Sequence, residues 1–187
     1  MATETGKESN YISVDIETAG PAPERYPLLS IGACQVSDLD QSFYVELKPD
    51  RELVDPQALL VSGLDFDRLK SEGMDPAQAM RDFARWATQA KRECGRPVFV
   101  AYNAPFDWMF VQAYFQRYEV ENPFGHSALD MKALAMGLLN IRWSETGMQH
   151  VSERLESPVT LSHNALQDAQ DQAQLFQRIL SQLNRDR

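Results

Sequence analysis

The N-terminal part of the chain alternates between polar and apolar residues in a way that predicts strands. Residues 11–17 alternate strictly, a period of two that is typical of a strand with one buried face. Residues 28–36 are almost all apolar or small, which indicates a buried strand, and residues 43–47 form a third strand-like run. Because the links between these runs are short and rich in turn residues, we expect an antiparallel meander.

Most of the chain after residue 54 is predicted to be helical. Aspartate followed by proline marks the start of a short helix at Pro56 and of a longer one at Pro76. A buried strand is predicted at residues 97–102, and further helices at 105–118, 131–139, 145–155 and 165–183. A strand meander followed by helix, strand and more helices predicts an α/β protein whose sheet is covered on its faces by helices.

Length and composition are those of one globular domain. The 187 residues, 43% of them hydrophobic, suffice for one core, so we expect a flexible N-terminus at 1–9 and a single domain at 10–184. The sequence shows no membrane-spanning run, no signal peptide and only two cysteines, which favours a cytoplasmic protein. The net charge of −9 argues against binding nucleic acid by overall charge, but it leaves open an enzyme that holds phosphates through cations.

Asp15 and Glu17 are the first candidate functional residues. Side chains two apart on a strand share a face, with Cα atoms roughly 6.5–7 Å apart, so the two carboxylates lie side by side near the strand end. Like charges so placed repel each other, and a multivalent cation is the usual counter-charge. The alternative is that both acids face water from an edge strand, and the pair alone favours neither.

Asp107 lies in the first turn of the helix that follows the strand at 97–102. An acid in a first turn stabilises a helix through its dipole, which is a sufficient structural explanation. Strand-to-helix corners of α/β sheets are also where ligand-binding groups gather. Position alone slightly favours the structural role.

His163 and Asp168 flank the start of the last predicted helix. Asn164 and Gln167 fit a capping box, with asparagine at the N-cap and glutamine three residues later. His163 and Asp168 then occupy the two positions that a hydrophobic staple brings into contact. A single histidine before a helix is usually a cap or a surface group, but an imidazole and a carboxylate at the staple positions are less readily explained in that way.

Together these segments resemble the DEDDh family of 3′–5′ exonucleases, whose members have a DnaQ-like, ribonuclease H-like fold. The first family motif is matched by DIETAG from Asp15, the second by NAPFD ending at Asp107, and the third by HNALQD from His163 to Asp168. The motifs stand in the family's order between about 11 and 180, and the His-x₄-Asp spacing corresponds to the histidine branch. The resemblance implies a mixed sheet, an antiparallel meander followed by parallel strands, flanked by helices.

The same resemblance implies a catalytic site with two Mg²⁺ or Mn²⁺ ions. The metal ligands would be the carboxylates of Asp15, Glu17, Asp107 and Asp168. Asp15 would bridge the ions, Glu17 would also contact the terminal 3′-hydroxyl, and His163 would be the general base for the attacking water. The reaction would release nucleoside 5′-monophosphates from a single-stranded 3′ end.

The sequence differs from the commoner family motifs at two places, and these differences do not decide between DNA and RNA as substrate. Tyr102 stands where many members have histidine, and Glu-Thr-Ala-Gly replaces the commoner Glu-Thr-Thr-Gly, a form that is similar to ribonuclease T-like members. Trp108 could stack on a terminal base. The substrate contacts implied by the resemblance are Thr18, Ala19, Val61, Leu64, Asn103 and Phe106.

Two alternatives to a stand-alone exonuclease stay open. One is a catalytically inactive nucleic-acid-binding module of the same fold, although a degenerate site need not keep all five groups. The other is a proofreading subunit that acts only when docked on a polymerase. We expect a stand-alone enzyme, forming a homodimer, that binds single-stranded DNA or RNA 3′ ends and no membrane.

Overall fold

A five-stranded sheet in the order β3-β2-β1-β4-β5 forms the centre of the molecule. The computed structural model describes residues 9–90, 95–157 and 162–185, so the expected flexible segment 1–9 lies outside the described residues except for its last position. β1, β2 and β3 pair antiparallel, whereas β4 pairs parallel with β1 and with β5. The predicted mixed sheet is therefore confirmed. The strands are β1 Tyr11–Thr18, β2 Leu28–Gln35, β3 Asp38–Glu46, β4 Val98–Ala101 and β5 Ala128–Asp130.

Helices flank the sheet. Asp55, Asp65 and Asp75 cap the first three by accepting hydrogen bonds from backbone N–H groups of the first turn. No helix among the described residues is long and apolar enough to cross a membrane. The helices are α1 Pro56–Ser62, α2 Phe66–Glu72, α3 Pro76–Gln89, α4 Ala104–Arg117, α5 Met131–Leu139, α6 Met148–Arg154 and α7 Ala165–Arg185, with a 3₁₀ turn at Trp143–Glu145.

The two faces of the sheet carry separate apolar cores. Ile12, Val14 and Ile16 of β1 belong to the core on the side of α3 and α4. The other core contains residues of α5, α6 and α7. Because successive residues of a strand point to opposite faces, Asp15 and Glu17 point toward the α7 side. β1 is the central strand, so the alternative of an exposed edge strand is excluded for this pair.

Gly32 of β2 allows α7 to approach the sheet at its first turn. A Cβ atom at Gly32 would lie 2.1 Å from the backbone carbon of Ala165, a distance that real Cβ atoms do not show. Gly32 is also the cross-strand partner of Asp15. The absence of a side chain therefore brings the first turn of α7, which carries Asp168, close to the first acidic motif.

Four elements differ from the sequence prediction. β3 begins five residues before the predicted start at 43, because a tight turn after β2 returns the chain at once and an edge strand does not need an apolar run. The predicted helix at 145–155 begins late, because α6 starts after Gly147 and Glu145 belongs to the preceding 3₁₀ turn. α2 and β5 were not predicted, since α2 is one short amphipathic segment and β5 has only three residues.

Candidate active site

Asp15 and Glu17 lie in the C-terminal half of β1, and both are half-buried. Their cross-strand partners in β2 are Gly32, which is covered by the first turn of α7, and the buried Ser30. A central strand places both carboxylates between neighbouring strands and beneath a helix, so they are only partly hydrated. The sequence-based expectation that the two acids share one face is met by this geometry.

Asp107 reaches the same end of β1 from the start of α4. β4 runs parallel to β1, so the β4–α4 corner lies at the edge of the sheet where β1 also ends. The turn into α4 passes through Asn103, whose φ of 68° is left-handed and whose side chain makes no capping hydrogen bond. Asp107 is 5% exposed, and its carboxyl group lies near the backbone N–H of Ile16. A carboxylate that only stabilised the helix dipole could remain in solvent and would not need to be buried to this extent.

Asp168 and His163 arrive from the start of α7. Asp168 is buried, and its Oδ1 accepts hydrogen bonds from the backbone N–H and the hydroxyl of Ser162, both at 2.9 Å. His163 is exposed and has a left-handed φ of 54°. Glu17, His163 and Asp168 each offer a metal-ligating atom, and these atoms all lie within 4.8 Å of one another. The staple positions of the helix therefore do bring the imidazole and the carboxylate together.

The capping box before α7 is only half present. The Asn164 side chain accepts a hydrogen bond from the Gln167 backbone N–H at 3.1 Å, as expected for an N-cap. The Gln167 side chain, however, donates to Asp171 at 3.0 Å instead of reaching back to residue 164. The backbone N–H of Asn164 instead donates to the Ser162 hydroxyl at 3.3 Å, so the reverse half of the expected box is wrong.

Three acids of this site, Asp15, Glu17 and Asp107, have pKa values raised chiefly by burial. Burial, the largest cause, raises the pKa of Asp15 well above its ordinary value, and the charges of the three other acids raise it further. Burial and then the charge of Asp168 raise the pKa of Glu17 to about 7. Burial likewise raises the pKa of Asp107 well above its ordinary value. None of these acids forms a salt bridge with a described residue, so the cluster offers oxygen donors without a protein counter-charge, which is what divalent cations require.

The six residues expected to contact substrate fall into two groups. The Thr18 hydroxyl donates to the Gly20 carbonyl at 2.9 Å, and Ala19 is fully buried with its backbone N–H and C=O both hydrogen-bonded. The other four keep part of their side chains accessible on or just after α1 and at the start of α4: Val61, Leu64, Asn103 and Phe106. The second group therefore offers surface to a ligand, whereas the first forms the turn after β1.

Three polar residues around the site were missed by the sequence analysis. Ser162 holds Asp168, and Gln172 of α7 bonds to Asp15 at 2.6 Å. Asp130 at the end of β5 accepts a hydrogen bond from the Ala104 backbone N–H at 3.0 Å and also caps α5, so it joins the starts of two helices. Two signals were available. Gln172 lies four residues after Asp168 on the same helix, and an aspartate directly before a predicted helix is a typical N-cap.

Comparison with known proteins assigns the family. Residues 10–180 match the model of the Rv2179c-like 3′–5′ exoribonuclease domain. The chain belongs to this family. It is 40% identical over 169 residues to the 3′–5′ DNA exonuclease Cap18 of Escherichia coli, covering 90% of each chain. It is 27% identical to ribonuclease T of Actinobacillus pleuropneumoniae, covering 92% of this chain and 84% of the relative.

The fold of this family member is that of the DEDDh exonucleases. The nuclease domain of 3′hExo, a DEDDh family member solved with rAMP bound, superposes with a TM-score of 0.77 at 14% identity. The superposition covers 96% of this chain and 94% of the other. The resemblance drawn from the three motifs is therefore confirmed, and the chain is a 3′–5′ exonuclease by family. An acidic cluster able to hold a divalent metal accompanies this fold.

Proposed function

We propose that this exonuclease removes nucleotides from a single-stranded 3′ end by a two-metal mechanism and releases nucleoside 5′-monophosphates. The observation that carries the proposal is the convergence of acids from β1, α4 and α7, which lie close enough for their charges to act on Asp15, with no salt bridge to a cationic side chain among the described residues. A purely structural acidic cluster would carry its own counter-charge, because unpaired buried carboxylates are costly.

Asp15, Glu17, Asp107 and Asp168 are the proposed ligands of two Mg²⁺ or Mn²⁺ ions. The donors are all carboxylate oxygens, which suits these hard cations better than zinc, and the single imidazole nearby stands at the exposed rim. Bound ions would supply electrostatic stabilisation of the attacking and leaving oxygens. Within this set we assign Asp15 the bridging position, because it lies on the central strand and the charges of all three other acids raise its pKa.

His163 is the proposed general base. Its side chain is exposed, whereas the neighbouring Asp168 is buried, so the imidazole stands between the acidic cluster and the solvent from which water enters. Imidazole is the side chain best suited to accept a proton near neutral pH. The left-handed backbone at His163 is the kind of costly conformation that persists where a site requires it.

Glu17 and the accessible residues beside it are proposed to hold the terminal nucleotide. The Glu17 carboxyl group would accept a hydrogen bond from the 3′-hydroxyl in addition to its contact with metal. Phe106 and the apolar side chains of Val61 and Leu64 would contact the terminal base, and Asn103 would contact the backbone of the substrate. Thr18 and Ala19 contribute by fixing the turn after β1, since their polar groups are already engaged.

DNA is the substrate we favour first. The support is the 40% identity with a DNA exonuclease over 90% of both chains, against 27% with a ribonuclease T. RNA is the second candidate, because the family whose model matches residues 10–180 is described as an exoribonuclease domain. The same match supports our proposal that 10–184 is one catalytic domain.

The decisive experiment is digestion of matched single-stranded DNA and RNA oligonucleotides that carry a 5′ label. The isolated chain is expected to shorten the labelled strand stepwise with Mg²⁺ or Mn²⁺, and EDTA should stop the reaction. A 3′-phosphate on the same oligonucleotide is the matched control, because it removes the hydroxyl that Glu17 would recognise. Binding without shortening would support the inactive module, and shortening only after addition of a polymerase would support the proofreading subunit. Sedimentation of the same sample tests the expected homodimer.

A further inference from the structure

Gln172 joins the first acidic motif to the end of β4 from the middle of α7. Its side chain is 2% exposed, and both ends of its carboxamide are hydrogen-bonded. Nε2 donates to Asp15 Oδ1 at 2.6 Å, and Oε1 accepts from the backbone N–H of Tyr102 at 2.9 Å. One buried amide on α7 therefore contacts two other elements of the site, β1 and the end of β4.

The orientation of this amide is determined by chemistry. The oxygen and nitrogen of a glutamine side chain have almost the same shape, so they are assigned from their hydrogen-bond partners. The backbone N–H of Tyr102 can only donate, so the amide oxygen must face it. The NH₂ group is then directed at Asp15, which it can approach only as a donor.

A neutral donor suits a carboxylate that must keep its charge. The Gln172 amide occupies Oδ1 of Asp15, and no described residue donates a hydrogen bond to Oδ2. A lysine or arginine at position 172 would hold Asp15 equally well, but its positive charge would compete with a cation. Asp168 is held in the same way, because its Oδ1 accepts two hydrogen bonds from neutral groups of Ser162.

We propose that Gln172 is a positioning residue that holds the Asp15 carboxylate in the orientation required for metal binding, with Tyr102 as its anchor. This inference rests on the proposed function, in which Asp15 is a metal ligand. Groups that orient a ligating carboxylate from behind typically contribute 10–100-fold in metal affinity or activity. Gln172 acts on Asp15 and touches no substrate.

The test compares Gln172→Met with Gln170→Met on the same helix. Gln170 also lies on α7 and donates to a main-chain carbonyl, that of Leu39 at 3.2 Å, but it does not contact Asp15. Both substitutions replace a glutamine side chain with a methionine side chain of similar length. The control therefore measures the effect of losing one side-chain hydrogen bond from α7 that does not involve Asp15. Mn²⁺ affinity is measured without substrate, from the electron paramagnetic resonance signal of free Mn²⁺.

Gln172→Met is expected to weaken Mn²⁺ binding about 10–100-fold, whereas Gln170→Met should bind Mn²⁺ as the unaltered protein does. With saturating oligonucleotide, kcat should fall in Gln172→Met while KM stays within about twofold, because the terminal nucleotide contacts other residues. Unchanged Mn²⁺ affinity in Gln172→Met, or a loss equal to that of Gln170→Met, would overturn the assignment.

A second variant covers the case in which Gln172→Met does not fold. Gln172→Ala leaves room for water to satisfy the Tyr102 N–H, but water cannot hold Asp15 in one orientation, so the loss of Mn²⁺ affinity should persist. Failure of the inference and of the proposed function are distinguishable. Normal Mn²⁺ binding without digestion by the unaltered protein overturns the function, whereas digestion combined with equal Mn²⁺ affinities overturns the role of Gln172.

Discussion

Asp50 and the acids of the active site show how the same side chain is treated in two regions of this fold. Asp50 accepts hydrogen bonds from Tyr114 at 2.5 Å and Tyr118 at 2.9 Å, and from the Arg117 guanidinium at 2.8 Å. Asp15, by contrast, has one neutral donor and three acidic neighbours. The fold therefore compensates the charge of Asp50 completely and leaves the charges of the site acids uncompensated. Uncompensated charge is what distinguishes a ligand site from a structural ion pair.

The Asp50 cluster has a structural task close to the site. Arg117 also donates to the Pro23 carbonyl at 2.8 Å, and Arg51 donates to the Glu24 carbonyl at 3.0 Å. The Arg117 bond attaches the segment after β1 to α4, and the Arg51 bond attaches it to the loop between β3 and α1. That segment follows β1 in the chain. The Asp50 cluster therefore supports the strand that carries Asp15 and Glu17.

The largest effect should come from Asp107→Asn. This change removes one proposed ligand, so nuclease activity with Mg²⁺ or Mn²⁺ should fall below detection. Burial raises the pKa of Asp107 because it disfavours the charged form of the side chain. Replacing the carboxyl group with a neutral amide should therefore leave the melting temperature in EDTA at or above that of the unaltered protein. Activity and differential scanning calorimetry on one preparation measure both. A clear drop in the metal-free melting temperature would contradict the comparison.

His163→Ala tests the group at the rim of the uncompensated site. Loss of a general base is expected to lower kcat about 10²–10⁴-fold, while Mn²⁺ remains bound because the four carboxylates are intact. Single-turnover digestion and Mn²⁺ titration give the two readings. His126, which is exposed as His163 is and precedes β5, provides the matched control His126→Ala, which should digest normally. Near-normal turnover in His163→Ala would remove histidine from the mechanism.

Asp50→Asn is the same chemical change as Asp107→Asn in the compensated region, and its effect on stability should have the opposite sign. Removing one partner of a buried pair leaves Arg117 without its counter-ion and places an amide NH₂ against hydroxyl donors. We expect a loss of roughly 3 kcal/mol in the free energy of unfolding, the lower end of the usual range, because Arg117 stays 20% exposed. Urea denaturation measures this loss. Folded Asp50→Asn should still bind Mn²⁺ like the unaltered protein, and weakened binding would mean that the two regions are coupled.

The sequence predicted where the candidate site residues lie, because each stands near the end of a regular element. Strict alternation identified β1 and put Asp15 and Glu17 on one face, and the helix start at 164 paired His163 with Asp168. Local patterns of this kind survive folding, since the element itself determines which side chains meet.

For the residues that support the site, local patterns give candidates but not their partners. Gln172 is one of several polar residues along α7, and only the approach of α7 to β1 turns it inward. That approach depends on Gly32, whose partner Ala165 lies more than 130 positions away in sequence. β5 escaped prediction because three residues carry no periodicity, yet its last residue, Asp130, connects α4 to α5. Long-range packing decides such contacts, and a local pattern does not contain it.

The smallest expected effect is a pH dependence of stability that belongs to the uncompensated site. Glu17 has its pKa raised from 4.5 to about 7, so the folded protein holds this proton more tightly than the unfolded chain does. The stabilisation from this group is complete below about pH 4.5 and is lost as the pH rises to about 7. Glu17→Gln should therefore show a flatter fall in melting temperature between these values, measured in EDTA. At pH 8, Mn²⁺ should raise the melting temperature, because cations replace the protons that the acids have lost. Equal pH slopes in Glu17→Gln and the unaltered protein would show that Glu17 is compensated as Asp50 is.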